Sequence, residues 1–132
     1  MNNFSFKNRY IDLGIGFYEL RKPDPVAQPS LIKFNNELGA ELGISADNHD
    51  DVFLAGLFSG NLIHETSEPL AMAYAGHQFG HFNPQLGDGR AIYLGELAHA
   101  DGRSLDVQLK GSGQTRYSRN GDGRAALGPV LR

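Results

Sequence analysis

Residues 86–110 read LGDGRAIYLGELAHADGRSLDVQLK, and this stretch decides how the chain folds. It runs glycine turn, strand, Asp-Gly turn, strand, lysine. Gly87-Asp88-Gly89 forms a turn that residues with a Cβ resist. Residues 91–97 carry Ile92, Tyr93 and Leu94, which favour strand. Asp101-Gly102 supplies a hairpin turn. Leu105, Val107 and Leu109 then alternate with Asp106, Gln108 and Lys110. The alternation sends the aliphatics to a core and Lys110 to the other face. A lysine beside a glycine turn offers what a nucleoside triphosphate requires. Backbone N–H groups approach the phosphates and one point charge holds them.

Two familiar phosphate motifs are absent. Lys110 follows Leu109 rather than Gly, which excludes a Walker A loop. Gly87 and Gly89 lack a third glycine at position 92, which is Ile, and the turn leads into a strand, which excludes a dinucleotide fingerprint. The plain alternative is a hairpin with an exposed lysine. Downstream, residues 111–126 read GSGQTRYSRNGDGRAA, a polar loop with Arg116, Arg119 and Arg124 between flexible turns. Such a loop can fold over phosphates; the alternative is a solvated surface. His77 and His81 stand four apart, the spacing of a helical zinc pair. Gln78 follows His77 where a zinc protease has Glu, and Gly80 opposes a helix, so a structural, hydrogen-bonded role is expected. Tyr74, Phe79, Phe82 and Tyr93 read as core.

Further out, residues 1–29 read as an ordered but irregular arm. It is aromatic at Phe4, Phe6, Tyr10, Phe17 and Tyr18, and Pro23, Pro25 and Pro29 forbid a long helix. A helix is expected from Ser30 through Leu42, stopped by Gly43. A second starts at Asp50 or Asp51 and carries Val52, Leu54, Leu57 and Phe58. A third runs over residues 70–75 after Glu68-Pro69, stopped by Gly76. Pro129 suits the first turn of a last helix, GPVLR. A helix starting there has little length, and two strands make a poor sheet alone, so the chain reads as the N-terminal part of a larger protein. Residues 1–76 are expected to form the arm and helices, and 77–132 the start of a nucleotide-binding lobe.

Composition sets the limits. The chain has 132 residues, 40% hydrophobic and 20% charged, as in a globular domain. There are 17 glycines, about twice the usual share. No cysteine is present, so disulfides and thiolate metal sites are excluded. No apolar run suits a membrane span and no signal peptide opens the chain, so a cytoplasmic location is the default. Residues 1–102 hold six Lys/Arg against thirteen Asp/Glu, a net −7. Residues 103–132 hold Lys110, Arg103, Arg116, Arg119, Arg124 and Arg132 against Asp106 and Asp122, a net +4. That asymmetry points to a local anion site and away from a nucleic-acid coat.

The runs AGHQFGHFNPQLGDGRAIYLGEL and DVQLKGSGQTRYSRNGDGRAALGPVLR closely resemble the selenoprotein O family, also called the YdiU family. The resemblance covers most of the chain and is densest over 74–132. It implies an α+β, protein-kinase-like fold, with helices followed by the start of the small lobe's antiparallel sheet. It also implies transfer of AMP from ATP to Ser, Thr or Tyr hydroxyls of proteins. The nucleotide would lie flipped, so that its α-phosphate meets the hydroxyl, with Mg²⁺ or Mn²⁺ offsetting phosphate charge. Gly87, Gly89 and Arg90 match the family's nucleotide-binding turn. Lys110 matches its small-lobe lysine, and Asp122 and Gly123 match a second nucleotide-contacting turn. The resemblance puts no catalytic base, lysine-pairing helix acid or metal ligand among residues 1–132. A non-catalytic nucleotide-binding module is the alternative, and a protein kinase is disfavoured by the incomplete glycine motif.

Overall fold

The computed structural model describes residues 4–130. Its element order is β1 (Tyr18–Leu20), α1 (Asn36–Glu41), α2 (Asp51–Ser59), β2 (Leu70–Gln78), β3 (His81–Gly87), β4 (Ala91–Ala98), β5 (Ser104–Lys110) and α3 (Leu127–Val130). The class is α+β. One five-stranded antiparallel sheet runs β1-β2-β4-β5, with β3 paired to the far half of β2.

β4 is the strand around which the rest is laid. Residues Ile92 through Leu97 are all buried, so both of its faces are covered. On one face Leu94 and Leu97 join Leu109, Leu54, Leu57, Ile44, Phe4 and Phe6 in the main core, which α2 closes. On the other lie Tyr93, whose hydroxyl donates to Asp106 at 3.1 Å, and Glu96, which takes the Arg9 Nε–H at 2.8 Å. Gly95 forms a bulge with φ +133°, and a Cβ there would sit 2.8 Å from the Lys7 carbonyl oxygen. The missing side chain lets the arm bridge to Glu96 through reciprocal Lys7–Glu96 backbone bonds of 3.0 and 2.6 Å.

Both hairpin strands and the Asp-Gly turn form as expected, β4 from its strand-favouring residues and β5 from its alternation. Val107 and Leu105 are half-buried, Leu109 is buried, and Lys110 is exposed opposite Ala91. α2 begins at the expected cap, where the Asp50 carboxylate accepts the Phe53 N–H at 2.8 Å, and ends at left-handed Gly60.

Three expectations are corrected. The helix placed from Ser30 is only Asn36–Glu41, capped by Asn35, whose side chain accepts the Leu38 N–H at 3.1 Å. Leu31 and Phe34 reach the core from an irregular lead-in, so apolar spacing imitated a helical stripe. The helix expected over 70–75 is the first part of β2. Its alanines and leucine suit a helix, but long-range pairing with β1, β3 and β4 outweighs that weak preference. Of the aromatics read as core, only Tyr93 is buried, whereas Tyr74, Phe82 and Phe79 are exposed, Phe79 at 93%. Phe79 and Gly80 both have positive φ and form the two-residue tip of the β2–β3 hairpin. The expected 76/77 division falls within β2, a single nine-residue strand. Of the last helix GPVLR, Leu131 and Arg132 lie outside the described residues.

Candidate functional site

A cleft of about 630 Å³ opens between the turn after β3, the end of β5 and the loop over residues 111–124. All six residues singled out in the sequence line it: Gly87, Gly89, Arg90, Lys110, Asp122 and Gly123. Tyr74 and Gln78 of β2 form one wall. The β4–β5 register brings the first three to Lys110, because Ala91 pairs with Lys110 and the Gly111 N–H donates to the Arg90 carbonyl at 2.6 Å.

The loop is fastened to the glycine turn by hydroxyls. Thr115 Oγ1 donates to the Asp88 carbonyl at 2.5 Å, and Ser118 Oγ to the Gly89 carbonyl at 2.6 Å. These bonds use up the turn's carbonyls. Its N–H groups at Gly89 and Arg90 have no protein acceptor among the described residues, which leaves donors for an anion. The glycines of this turn serve a purpose other than unusual backbone angles, since neither Gly87 nor Gly89 has positive φ. A Cβ on Gly87 would strike the Tyr117 ring, and one on Gly89 would lie 2.7 Å from the Tyr117 carbonyl oxygen. Close approach of the loop is what excludes side chains. Gly123, at φ +68°, is left-handed and takes the Gly113 N–H on its carbonyl at 3.1 Å.

Positive charge dominates the cleft through Arg90, Lys110, Arg119 and Arg124, against Asp88 and Asp122. Neither the Lys110 ammonium nor the Arg90 guanidinium has a hydrogen bond or ion pair among the described residues. Both carboxylates are engaged. Asp88 accepts the Met72 N–H at 3.1 Å while its own N–H donates to the Met72 carbonyl at 2.9 Å, locking the turn to β2. Burial pushes the Asp88 carboxyl above its usual range, and the bonds from Met72 and the Tyr74 hydroxyl oppose the shift. Asp122 accepts the Arg124 N–H at 2.9 Å, an Asx turn. Arg119 donates to Gln78 Oε1 at 2.9 Å, spanning the cleft mouth.

The arm completes the site, which the sequence did not suggest. Asp24 accepts the Gln114 N–H at 2.9 Å, and its N–H donates to the Ser112 carbonyl at 2.8 Å. Glu19 accepts the Arg116 N–H at 2.7 Å. A signal was available at Asp24, a carboxylate between Pro23 and Pro25, because such a rigid segment presents its side chain at little entropic cost. Thr115 and Ser118, three apart, had the spacing of a hydroxyl turn, and the Thr115 N–H donates to Ser118 Oγ at 2.8 Å. His77 and His81 sit on the exposed hairpin, one on each strand. His77 packs its ring against Phe82 at 5.3 Å, and neither imidazole is hydrogen-bonded among the described residues, contrary to expectation.

Curated proteins similar to this chain share one description. It is 61% identical over 134 residues to the protein nucleotidyltransferase YdiU of Rhizobium meliloti, covering 100% of this chain and 27% of that protein. It is 56% identical over 131 residues to its namesake in Rhizobium johnstonii, covering 98% and 26%. It is 57% identical over 130 residues to that of Rhodopseudomonas palustris, covering 98% and 26%. The chain therefore spans about a quarter of the length of these relatives. A model described as protein adenylyltransferase SelO matches residues 1–132, so the chain belongs to the SelO family.

Proposed function

We propose that this chain is the nucleotide-binding part of a protein nucleotidyltransferase that moves AMP from ATP to Ser, Thr or Tyr hydroxyls of proteins, on a protein-kinase-like fold. The observation that carries the reading is the convergence of Gly87, Gly89, Arg90, Lys110, Asp122 and Gly123 on one cationic cleft. The names of the similar proteins agree with it. In this reading the unpartnered Lys110 ammonium and Arg90 guanidinium hold phosphate oxygens, and the free N–H groups of the glycine turn add short-range donors. Asp122 shapes its turn through Arg124. The hydroxyl oxygen attacks the α-phosphorus in line and gives its proton to a general base, the bond to the bridging oxygen breaks, and pyrophosphate leaves with that electron pair.

Mg²⁺ or Mn²⁺ would offset phosphate charge in such a reaction. The residues described do not make a site for it. No group of three or more His, Asp or Glu able to hold a metal occurs among them, and Asp88 and Asp122 are already bonded to backbone N–H groups. Among the described residues no helix is long and apolar enough to cross a membrane. A cytoplasmic setting with ATP and protein substrates as partners completes the proposal. It invokes no nucleic acid, because the positive charge is local to the cleft.

The test is transfer of radiolabel by the full-length protein. Label from α-labelled ATP appearing on protein supports nucleotidyl transfer. Label only from γ-labelled ATP would make the protein a kinase, and ATP binding with neither would make it a binding module.

A further inference from the structure

A second cavity of about 310 Å³ adjoins the cleft, lined by Gln85, Leu86, Gly87, Arg116, Tyr117 and Arg119. Leu86, Gly87 and Tyr117 line both cavities, and the tyrosine ring lies directly against Gly87. Arg119 also lines both. This second cavity is lined by two arginines and no acidic residue. The Arg116 side chain has no hydrogen bond or ion pair among the described residues, and the nearby Glu19 carboxylate is taken by the Arg116 backbone N–H. Arg119 and Asn120 both have positive φ, 51° and 67°. A residue such as arginine rarely adopts that conformation, and here it accompanies a side chain directed back to Gln78. The loop thus holds two exposed arginines that flank Tyr117 in sequence.

We propose that this cavity binds acidic side chains of the protein substrate beside the hydroxyl to be modified. The inference rests on the protein nucleotidyltransferase reading and names a substrate class for it. The cavity has about half the volume of the main cleft and adjoins it through the shared lining residues Leu86, Gly87, Tyr117 and Arg119, so it suits a second, smaller ligand beside the nucleotide. Guanidinium groups pair with carboxylates through parallel hydrogen bonds, and an acidic residue entering here neutralises charge that the protein itself leaves unpaired. Arg119, lining both cavities, would place the acidic residue next to the reacting end of the nucleotide.

The experiment compares two fluorescent serine peptides, one with glutamates flanking the serine and one with glutamines. Binding to the full-length protein is read by fluorescence anisotropy, and transfer from α-labelled ATP is measured in parallel. Wild type should bind the glutamate peptide about tenfold more tightly, with the preference fading at high salt. Arg116→Gln should lower that preference about fivefold, leaving ATP affinity and the glutamine peptide unchanged. Arg116→Lys should restore part of it. Equal binding of the two peptides by wild type, or an equal loss for both in Arg116→Gln, overturns the inference even where transfer is robust. Preferential binding of the glutamate peptide without any transfer would keep the acidic-peptide site and sink the nucleotidyltransferase reading.

Discussion

The Asp24 carboxylate accepts the backbone N–H of Gln114 at 2.9 Å, across ninety residues of sequence. Its other oxygen takes Arg21 at 2.7 Å. Asp24 thereby ties the proline-rich arm to the loop that forms one side of the cleft. Hydrogen bonds to a charged acceptor contribute about 1.5–3 kcal/mol, and partial exposure of Asp24 places this one at the lower end. Asp24→Ala should weaken ATP binding several-fold although the residue does not line the cleft. Isothermal titration decides it; unchanged affinity would mean the loop holds its shape without the arm.

Gly89→Val should undock the loop. Its Cβ would lie 2.7 Å from the Tyr117 carbonyl oxygen, and overpacking of this kind costs roughly 1–3 kcal/mol. The expected outcome is a melting temperature several degrees lower together with weaker ATP binding. A normal melting curve with normal affinity would show that the turn and the loop can separate freely.

Lys110→Ala should fold normally, since the side chain is exposed at the end of β5 and has no partner to lose. Loss of a charge-assisted phosphate contact removes about one to two powers of ten in affinity. If the lysine also aligns the triphosphate, the rate falls further than the affinity. Lys110→Arg should remain poor, because a planar fork replaces a compact charge. Transfer of α-labelled AMP with melting curves as control is the measurement. Near-normal transfer by Lys110→Ala would make Lys110 a surface lysine.

Two ionic contacts should give opposite pH dependences. The Arg9 guanidinium holds the Glu96 carboxyl below its usual range of about 4.5, so its stabilisation is present above that pH and disappears as pH falls through the folded value. The difference in melting temperature between wild type and Glu96→Gln should therefore be a few degrees at pH 7 and vanish in acid.

His99 behaves the other way. Its ring lies 2.7 Å from Glu41 and 2.8 Å from Asp101, and the hydrogen bonds to these carboxylates, Glu41 first, raise its pKa above 6.5. Stabilisation from the imidazolium is complete below about 6.5 and is lost as pH rises through the folded value. Melting curves of His99→Ala should differ most from wild type near pH 6 and converge at higher pH. A constant difference would mean the ring acts by packing alone.

Local chemistry explains what was legible in the sequence. In residues 86–110 strand-favouring side chains, the alternation of 105–110 and turn chemistry agree, so β4, β5 and the placement of Lys110 follow from neighbours in sequence. The Asp50 cap is equally local. β2 was misread because its pairing partners lie far away in sequence, while its own alanines and leucine suit a helix. Of the six cleft residues, the glycine turn and Lys110 were visible from residue chemistry, while Arg90, Asp122 and Gly123 were assigned to the site through the family resemblance. Their mutual support was hidden: Thr115, Ser118 and Tyr117 act through hydroxyls and shape, and Glu19 and Asp24 act from the opposite end of the chain.

The bulge at Gly95, which lets the arm bridge to Glu96, has a consequence for the order of folding. The arm's fastenings join Phe6 to Thr66, Arg9 to Glu96, Glu19 to Arg116 and Asp24 to Gln114. During synthesis the first two dozen residues leave the ribosome long before most of these partners exist. The β4–β5 hairpin can close early, but the arm must wait, because contacts this remote carry the largest loop-closure cost. The loop that walls the cationic cleft is therefore fastened only after these remote contacts close. The same return that brings Phe4 and Phe6 into the core brings Glu19 and Asp24 to the loop beside the cleft, so core and anion site are completed together.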